Sequence, residues 1–350
     1  MSDISKLDKN FRVDATVERD NIKFYNVDSS PFKVYGVYRD GDKYVRMPES
    51  VAREVNPIVA ILYAKTAGGR VRFKTDSTYV AIHAKIERPD KMPHMAFSGS
   101  IGFDLYVGDE YYKTFMPRTD VTDEWSSIVE FNTRQMREIT INFPLYCYVR
   151  ELYIGLEDDA RVSEGAPYAN KKPLVYYGSS ITQGACASRP GMCYQNIISR
   201  RFNYDYINLG FSGSAKAEDA MIDYIKGLDM SIFVCDYDHN APDIEYLEAT
   251  HEKLFKAVRA EHPELPVVFM SKPRYKLNET DAKRLAVIRR TYENALASGD
   301  ENVYLVDNVM LTALCGGEGL VDDTHPTDYG FASMAKAVGD VIEKIEIEKA

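Results

Sequence analysis

The second half of the sequence alternates short apolar runs with segments long enough to form helices. The apolar runs have the length of strands and lie at 174–177, 206–209, 231–235, 266–270 and 303–306. Such alternation is typical of βα units, in which parallel strands form one sheet with helices on both faces. The last segment carries apolar residues at three- and four-residue intervals, as an amphipathic helix on a sheet does: Phe331, Met334, Val338, Val341, Ile342 and Ile345. We therefore predict an α/β fold whose C-terminal domain, residues 172–350, is a flavodoxin-like three-layer α/β/α domain.

The first half has the two-residue period of β-strands instead. Apolar and other side chains alternate over residues 80–87 and again over 139–143, and no convincing helical period accompanies them. Gly108-Asp109 predicts a hairpin turn between two strand-like runs. Many short strands joined by Gly, Asp and Pro turns predict a β-sandwich, jelly-roll-like in its arrangement, over residues 1–165.

Composition and charge limit the number of domains and the kind of partner. The 350 residues, 45% of them apolar, are enough for two domains. A polar stretch at 157–172 predicts the linker between them. The formal net charge of −10 argues against a nucleic-acid or anionic-membrane partner, because both need clustered Lys and Arg to neutralise phosphate. Uncharged esters and neutral sugars remain open as substrates, and so does assembly into a homo-oligomer.

Neither a targeting segment nor a disulfide framework is evident. Residues 1–30 contain no apolar signal-peptide core, and no stretch approaches the roughly 18 apolar residues of a membrane span, so we expect a cytoplasmic protein. The cysteines are odd in number and lack C-x-x-C spacing: Cys147, Cys186, Cys193, Cys235 and Cys315. We therefore expect free and mostly buried thiols.

Two short polar segments carry the side chains of a nucleophilic enzyme. Gly178-Ser179-Ser180-Ile181 follows the first strand of the predicted sheet, and Asp322-x-x-His325-Pro326 follows the last. A serine hydroxyl becomes a good nucleophile when an imidazole takes its proton, and a carboxylate fixes the tautomer of that imidazole. The two segments together supply a serine nucleophile, His325 as the general base and Asp322 as the acid that orients it. Asp323 is adjacent and is the alternative acid.

The same segments resemble the SGNH hydrolases, an esterase superfamily also called GDSL. In the first block of that family, Gly-Asp-Ser-Ile/Leu, the serine is the nucleophile. The resemblance therefore implies that Ser180 is the nucleophile here, with Ser179 in place of the usual aspartate. The last block, Asp-x-x-His-Pro, is met without departure by Asp322, His325 and Pro326. The resemblance implies a Ser-His-Asp triad, although some members of the family use a dyad in which a backbone carbonyl orients the histidine.

The two middle blocks of the family imply the oxyanion donors. The second block contributes a glycine N–H and is matched by residues 208–213, in which Gly210 is the matching glycine. The third block is normally Gly-x-Asn-Asp, and residues 236–241 lack its glycine and final aspartate but contain one asparagine, Asn240. The resemblance thus implies an oxyanion hole made of the N–H groups of Ser180 and Gly210 and the side chain of Asn240.

A second resemblance lies in the first half. Residues 102–106, Gly-Phe-Asp-Leu-Tyr, match the GxDLY signature of a β-rich domain that precedes a subset of SGNH esterases. We expect Asp104 to bind backbone N–H groups in a tight turn and not to catalyse. Arg189 either lines the substrate cleft or has an ordinary surface role, and His239 is either a substrate contact or a solvated wall residue. Trp125 and the many tyrosines either stack on sugars or pack in the core.

These observations predict a serine esterase that works through an acyl-enzyme and needs no metal or organic cofactor. By its likeness to two-domain carbohydrate esterases, the substrate would be an O-acetyl group on an oligosaccharide derived from a plant polysaccharide. The alternatives are a short-chain acyl esterase or lysophospholipase-like thioesterase, and a carbohydrate-binding protein on an inactive hydrolase scaffold.

Overall fold

The computed structural model describes residues 17–170 and 172–349. Residues 1–16 of the predicted β-domain, Lys171 of the predicted linker and Ala350 at the end of the predicted α/β domain lie outside the described residues. Within the described ranges, no helix combines the length and the apolar character that crossing a lipid bilayer requires. The domain boundary predicted between 165 and 172 stays a prediction.

The first half forms two antiparallel sheets packed face to face. Its strands are β1 (Ile22–Asn26), β2 (Lys33–Tyr35), β3 (Tyr38–Asp40), β4 (Lys43–Val45), β5 (Arg70–Thr75), β6 (Tyr79–Ile86), β7 (Phe103–Val107), β8 (Glu110–Phe115), β9 (Glu124–Glu130), β10 (Arg137–Asn142), β11 (Val149–Glu157) and β12 (Val162–Glu164). One sheet has the order β1-β11-β6-β9 and the other the order β12-β5-β10-β7-β8, with β2 also paired to β5 and β3 paired to β4 as a separate hairpin.

Apolar side chains from both sheets fill the space between them. Phe73 of β5 and Ile82 of β6 face each other's sheet in one cluster, and Trp125 is buried there at 6% exposure. Alternate residues of each strand point inward, which is the cause of the two-residue period in the sequence. The predicted β-sandwich is confirmed, and so is the hairpin at Gly108, since β7 and β8 pair antiparallel across it. Trp125 packs in the core and does not form a sugar-stacking surface.

Short helices interrupt the β-rich half. They are α1 (Glu49–Val55), α2 (Val59–Leu62) and α3 (Phe97–Ser100). No helical period in the sequence had indicated them. Each of these helices has at most two turns, which is too short for a three- to four-residue apolar repeat to stand out.

The second half contains one parallel sheet. Its strands are β13 (Leu174–Gly178), β14 (Tyr206–Gly210), β15 (Ile232–Asp236), β16 (Val267–Met270) and β17 (Val303–Val306), in the order β14-β13-β15-β16-β17. The helices are α4 (Ser180–Gln183), α5 (Tyr194–Phe202), α6 (Asp219–Lys226), α7 (Ile244–Glu261), α8 (Glu279–Ala297), α9 (Asn308–Leu311) and α10 (Asp328–Lys349), with single 3-10 turns at Pro190–Met192, Asp238–Asn240 and Gly316–Gly319. This is the flavodoxin-like strand order, so the predicted α/β/α fold is confirmed.

The strand order reverses beside β13, and this reversal positions the site. The chain passes from β13 to β14 on one side and then to β15 on the other. Where neighbouring connections leave in opposite directions, a crevice opens beyond the carboxyl ends of the strands. Ser180 follows β13 and Asn240 follows β15, so both lie at this crevice.

The two halves share part of their apolar core. Helix α1 lies against α6, and Val45 and Ala52 belong to the same buried cluster as Val175 and Met221. One face of the parallel sheet is therefore covered partly by residues from the first half of the chain.

Candidate active site

The nucleophile turn joins β13 to α4. At Gly178 a Cβ would lie 2.2 Å from the Asp236 carbonyl oxygen, so only glycine allows this close approach. Ser179 is the N-cap of α4, because its hydroxyl oxygen accepts from the Ile181 N–H at 3.1 Å. Serine caps helices about as well as aspartate does, so the replacement of the usual aspartate leaves the turn intact. Ser180 is the first residue of α4 and is 7% exposed.

The structure brings Ser180, His325 and Asp322 into one hydrogen-bonded line. Ser180 Oγ lies 2.9 Å from His325 Nε2, and His325 Nδ1 lies 2.8 Å from Asp322 Oδ2. With the ring proton on Nδ1, where Asp322 accepts it, Nε2 is free to take the serine proton. The arrangement can therefore activate a serine for attack on a carbonyl carbon.

Asp322 is held as a carboxylate by its local backbone. Its Oδ1 accepts from the His325 N–H at 2.8 Å and from the Thr324 N–H at 3.2 Å. Partial burial would raise the pKa of the Asp322 carboxyl, but the hydrogen bonds from His325 and Thr324 outweigh it and keep this pKa below its ordinary value. Asp323, the alternative acid, pairs with Arg274 instead of the imidazole. The geometry thus favours the triad over the dyad and Asp322 over Asp323.

Gly210 does not present a free N–H to the site. Its N–H donates to Asn208 Oδ1 at 2.9 Å, and its carbonyl accepts from the buried Arg46 guanidinium at 2.6 Å. A Cβ at this position would lie 2.1 Å from the backbone nitrogen of Gln183, so the glycine allows β14 to pack against α4. The oxyanion role predicted for Gly210 is therefore contradicted, because its donor is already paired.

Gly213, three residues further on, is the other glycine of this segment, and its N–H is free among the described residues. It has a φ of 67° and open space where a Cβ would point. Among the hydrogen bonds formed by the described residues, the N–H groups of Gly213 and Ser180 have no protein acceptor. The neighbouring Ser212 N–H donates to Gln183 Oε1 at 3.1 Å, which holds this loop beside α4. The sequence already offered this alternative, because the segment 208–213 contains two glycines and only the first of them, Gly210, was matched to the family block.

Gly210→Ala is expected to lower the free energy of unfolding by about 1 to 3 kcal/mol or more, because the added methyl group meets backbone atoms of α4 that cannot move aside. Gly213→Ala should cost only about 1 to 2 kcal/mol, the penalty of a left-handed backbone without a steric clash. Urea unfolding of both variants checks the difference. A Gly210→Ala protein as stable as the wild type would contradict the packing role.

Asn240 lies against the same loop. It ends the 3-10 turn after β15, and its Nδ2 donates one hydrogen to the Phe211 carbonyl at 3.2 Å. The Phe211 N–H in turn donates to the Gly178 carbonyl at 2.8 Å. An amide nitrogen carries two hydrogens, so Asn240 keeps one for a further acceptor, and we expect that acceptor to be the oxyanion formed at Ser180.

Asn240→Ala is expected to lower kcat by roughly 10² to 10³ with little change in KM, since the amide matters most when charge develops on the substrate oxygen. Steady-state kinetics on 4-nitrophenyl acetate measure both constants, and a thermal unfolding curve shows that the fold is kept. A kcat near that of the wild type would remove Asn240 from the oxyanion hole.

His239 is largely covered by the protein and is paired with its neighbour Asp238. Its side chain is only 9% exposed, and Nδ1 lies 2.8 Å from Asp238 Oδ1. Burial alone would lower the pKa of His239, but the hydrogen bond to the buried Asp238 carboxylate outweighs it and raises this pKa. The substrate contact proposed from the sequence for His239 is therefore not supported, because the ring is buried and paired with Asp238.

Asp236 is a second buried acid behind the nucleophile turn. It ends β15 fully buried, and its Oδ2 accepts from the Thr182 hydroxyl at 2.9 Å. Burial raises the pKa of the Asp236 carboxyl to about 7, against the opposing effect of His239. The folded protein therefore keeps a proton on Asp236 that the unfolded chain loses near pH 4.

Because of this proton, the free energy of unfolding should fall as the pH rises from about 4 to 7. The folded state binds more protons than the unfolded state over that pH range. Asp236→Asn should remove this pH dependence. The free energy of unfolding of the variant, relative to that of the wild type, should therefore rise by roughly 2 to 4 kcal/mol from about pH 4.5 to pH 8, at about 1.4 kcal/mol per pH unit. Urea unfolding of both proteins at the two pH values measures it. A difference between them that does not change with pH would show that Asp236 titrates normally.

Arg189 lies at the junction of the two halves and not in the cleft. It donates to Asp104 Oδ2 at 2.8 Å and to the Tyr106 hydroxyl, and its guanidinium carbon lies 3.8 Å from the centroid of the Tyr111 ring. The same Asp104 oxygen accepts from the Gly191 N–H at 2.8 Å. The substrate role considered for Arg189 is not supported, because its guanidinium is engaged by the first half. As expected, Asp104 binds a backbone N–H. Asp104 lies on strand β7, however, and the N–H belongs to Gly191 of the second half, so the contact crosses the junction and is not part of a tight turn.

Two groups of side chains in the described part of the chain could supply metal ligands. One is the cluster of Asp236, Asp238 and His239, which lies buried behind the nucleophile turn. The other contains His325 itself, together with one further histidine and a cysteine. The steps that a Ser-His-Asp triad performs require no metal ion.

Family models match both halves of the chain. The second half matches the GDSL-like lipase/acylhydrolase family over residues 171–343. The first half matches the GxDLY model, which describes the N-terminus of SGNH-hydrolase-type esterases, over residues 22–162. No curated protein sequence matches the chain.

Solved structures share the whole two-part architecture. The chain is similar to a protein from Bacteroides ovatus described as a GDSL-like lipase, at 26% identity and a TM-score of 0.84, over 93% of this chain and 98% of that one. It is also similar to a salicylyl-acyltransferase from a tetracycline biosynthetic pathway, at 18% identity and a TM-score of 0.77, over 94% and 99% of the two chains. A family two carbohydrate esterase from Cellvibrio japonicus shares the fold at 12% identity and a TM-score of 0.62, over 93% and 98%. With both halves matched in the expected order, the chain belongs to the SGNH, or GDSL-like, hydrolases and is an esterase of their two-domain type with an N-terminal GxDLY domain.

Proposed function

We propose that this esterase removes O-acetyl groups from carbohydrates, such as oligosaccharides derived from plant polysaccharides. The observation that carries the chemistry is the 2.9 Å contact between Ser180 Oγ and His325 Nε2, with Asp322 on the other ring nitrogen. The choice of an acetylated sugar is supported by the likeness in fold to a family two carbohydrate esterase.

Acylation begins when His325 Nε2 takes the Ser180 proton as Oγ attacks the ester carbonyl carbon. The N–H groups of Ser180 and Gly213 and the second Nδ2 hydrogen of Asn240 donate to the oxyanion that forms. Asp322 stabilises the imidazolium. His325 then gives its proton to the leaving alcohol, here a sugar hydroxyl, and the acetyl group stays on Ser180.

Deacylation repeats the same steps with water. His325 takes a proton from the water as it attacks the acetyl-serine, and the same donors hold the second oxyanion. Collapse of this intermediate releases acetate and returns the proton to Ser180 Oγ. The sum of the two halves is hydrolysis of one ester bond, with no oxidation or reduction.

The sharpest test compares substrates on one preparation. Acetate release is measured from acetylated mannan, xylan and glucan oligosaccharides, and kcat/KM is measured for 4-nitrophenyl esters of acetate, butyrate and octanoate and for a lysophospholipid and an acyl thioester. Ser180→Ala is the control for contaminating esterases. We expect acetate from at least one oligosaccharide and the highest kcat/KM on the acetyl ester.

Two outcomes would replace this proposal. A preference for longer acyl chains, for the lysophospholipid or for the thioester would favour the short-chain acyl esterase or thioesterase alternative. Hydrolysis of 4-nitrophenyl acetate without acetate release from any oligosaccharide would indicate an acetylesterase whose own substrate is an ester of an alcohol other than these sugars. The cytoplasmic location predicted from the sequence would suit oligosaccharides imported before deacetylation, and it is part of this proposal.

A further inference from the structure

Side chains that bind metals meet at the exposed edge of the catalytic centre. His94 comes from the loop between β6 and α3, Cys186 lies shortly after α4, and His325 is the general base. Each offers one ligand atom, and the three atoms lie within 4.8 Å of one another. The ring centroids of His94 and His325 are 5.7 Å apart. Imidazole nitrogen and thiolate sulfur are the ligands that Zn²⁺ prefers in proteins.

The separations are close to those of a zinc site. With Zn–N near 2.0 Å and Zn–S near 2.3 Å, three ligand atoms around a tetrahedral ion stand roughly 3.3 to 3.8 Å apart. Closing the observed separation, at most 4.8 Å, to that value requires the ligand atoms to approach one another by up to about 1.5 Å for an ion of this size. His94 is exposed, so rotation of its side chain can supply the shift.

His325 is already oriented as zinc-bound histidines are. A histidine that ligates a metal through one ring nitrogen usually donates the other N–H to a carboxylate, which fixes the ring. Asp322 accepts from Nδ1 at 2.8 Å and so provides that partner. The nitrogen left for a metal is Nε2, the same atom that takes the proton of Ser180.

Cys186 is fixed relative to the nucleophile. It has a φ of 71°, a backbone conformation that residues other than glycine rarely adopt. The Ala185 N–H donates to the Ser180 carbonyl at 2.9 Å, and the Ala187 N–H donates to the Gly184 carbonyl at 3.3 Å. The thiol is half-buried, whereas Cys147, Cys193, Cys235 and Cys315 are buried. Cys186 is therefore the most accessible of the five cysteines.

We propose that Zn²⁺ binds His94, Cys186 and His325 and thereby inhibits the esterase. The ion takes the Nε2 lone pair of His325, so the imidazole can no longer accept the Ser180 proton. As the Zn–S bond forms, the thiol proton passes to solvent, and no atom changes its oxidation state. One ligand comes from the first half of the chain and two come from the second. The inhibition rests on the proposed function, whereas the binding of the ion does not.

The first experiment measures binding without activity. The protein is titrated with Co²⁺, which replaces Zn²⁺ and shows a thiolate-to-cobalt charge-transfer absorption when a cysteine is a ligand. We expect this absorption in the wild type, its loss in Cys186→Ala and an affinity at least about tenfold weaker in His94→Ala. The matched control is His83→Ala, because His83 lies on β6 beside Glu124, outside the three-ligand group. This control should bind as the wild type does.

The second experiment measures inhibition. Zn²⁺ is added during hydrolysis of 4-nitrophenyl acetate, and each variant is compared with its own metal-free rate. The Zn²⁺ concentration for half inhibition should rise at least about tenfold in His94→Ala and Cys186→Ala but not in His83→Ala. A chelator should restore the rate.

The outcomes separate this inference from the proposed function. A cobalt–thiolate absorption in a protein without hydrolytic activity would keep the metal site and refute the proposed function. Hydrolysis without that absorption would refute the metal site. Equal inhibition of the wild type and both ligand variants would also refute it, because the ion would then act elsewhere.

Discussion

Ser180→Ala is expected to reduce kcat on an acetyl ester by a factor of up to about 10⁶, the loss seen when the nucleophile of a serine hydrolase is removed. His325→Ala should lower kcat to a similar residual value, because Ser180 Oγ and His325 Nε2 are 2.9 Å apart and act as one unit. The double variant should be little worse than either single one. The residual rate should come from the oxyanion donors, which neither change removes.

The measurement is single-turnover and steady-state kinetics on 4-nitrophenyl acetate for the three variants. Thermal unfolding is the control, and it should show an intact fold, since Ser180 loses only one hydroxyl. A Ser180→Ala protein that kept a substantial fraction of the wild-type rate would mean that another side chain attacks the ester. A double variant far slower than both single ones would mean that Ser180 and His325 act independently.

Asp322→Asn should have the next largest effect, a decrease in kcat of up to about 10⁴. The amide cannot stabilise an imidazolium, and its NH₂ group can force the wrong tautomer on His325, whose Nδ1 is 2.8 Å away. KM should change little, because Asp322 acts through His325. A thermal unfolding curve separates this orienting role from a loss of stability, since the rate should fall while the fold stays intact.

Asp323→Asn is the matched control, because it changes the same side chain one residue away. Its carboxylate pairs with Arg274 and not with the imidazole, so we expect a loss of less than about tenfold. A severe loss in Asp323→Asn with a mild one in Asp322→Asn would reverse the assignment. Mild losses in both would mean that a backbone carbonyl orients His325 and that the enzyme works as a dyad.

The sequence predicts the architecture well because both periods have simple causes. Parallel strands covered on both faces appear as apolar runs, and sandwich strands with one buried face alternate. Motifs whose residues are close in sequence were also predicted well. Asp322 and His325 are three residues apart, so one turn of chain fixes their relation wherever the rest of the fold lies.

The errors arose where position depends on contacts distant in sequence. Gly210 matches the family block, but its N–H is taken by Asn208, and the free N–H belongs to Gly213. Arg189 is near the nucleophile in sequence, yet Asp104 of the first half holds it. His239 next to Asn240 is turned inward by Asp238. The order of residues in the sequence does not show which acceptor binds a given hydrogen-bond donor. These positions could therefore be assigned only from the structure.

The guanidinium of Arg46 gives the first half of the chain a direct part in shaping the second. Its Nη1 donates to the Asn208 carbonyl at 3.0 Å and to the Gly210 carbonyl at 2.6 Å, just before the loop that carries Gly213. Without these donors, both carbonyls would be buried and unpaired. Exchange of the sandwich between relatives would succeed only if the incoming module supplied an equivalent arginine. The first half is therefore part of the framework that holds the site loop, although each half matches a family model of its own.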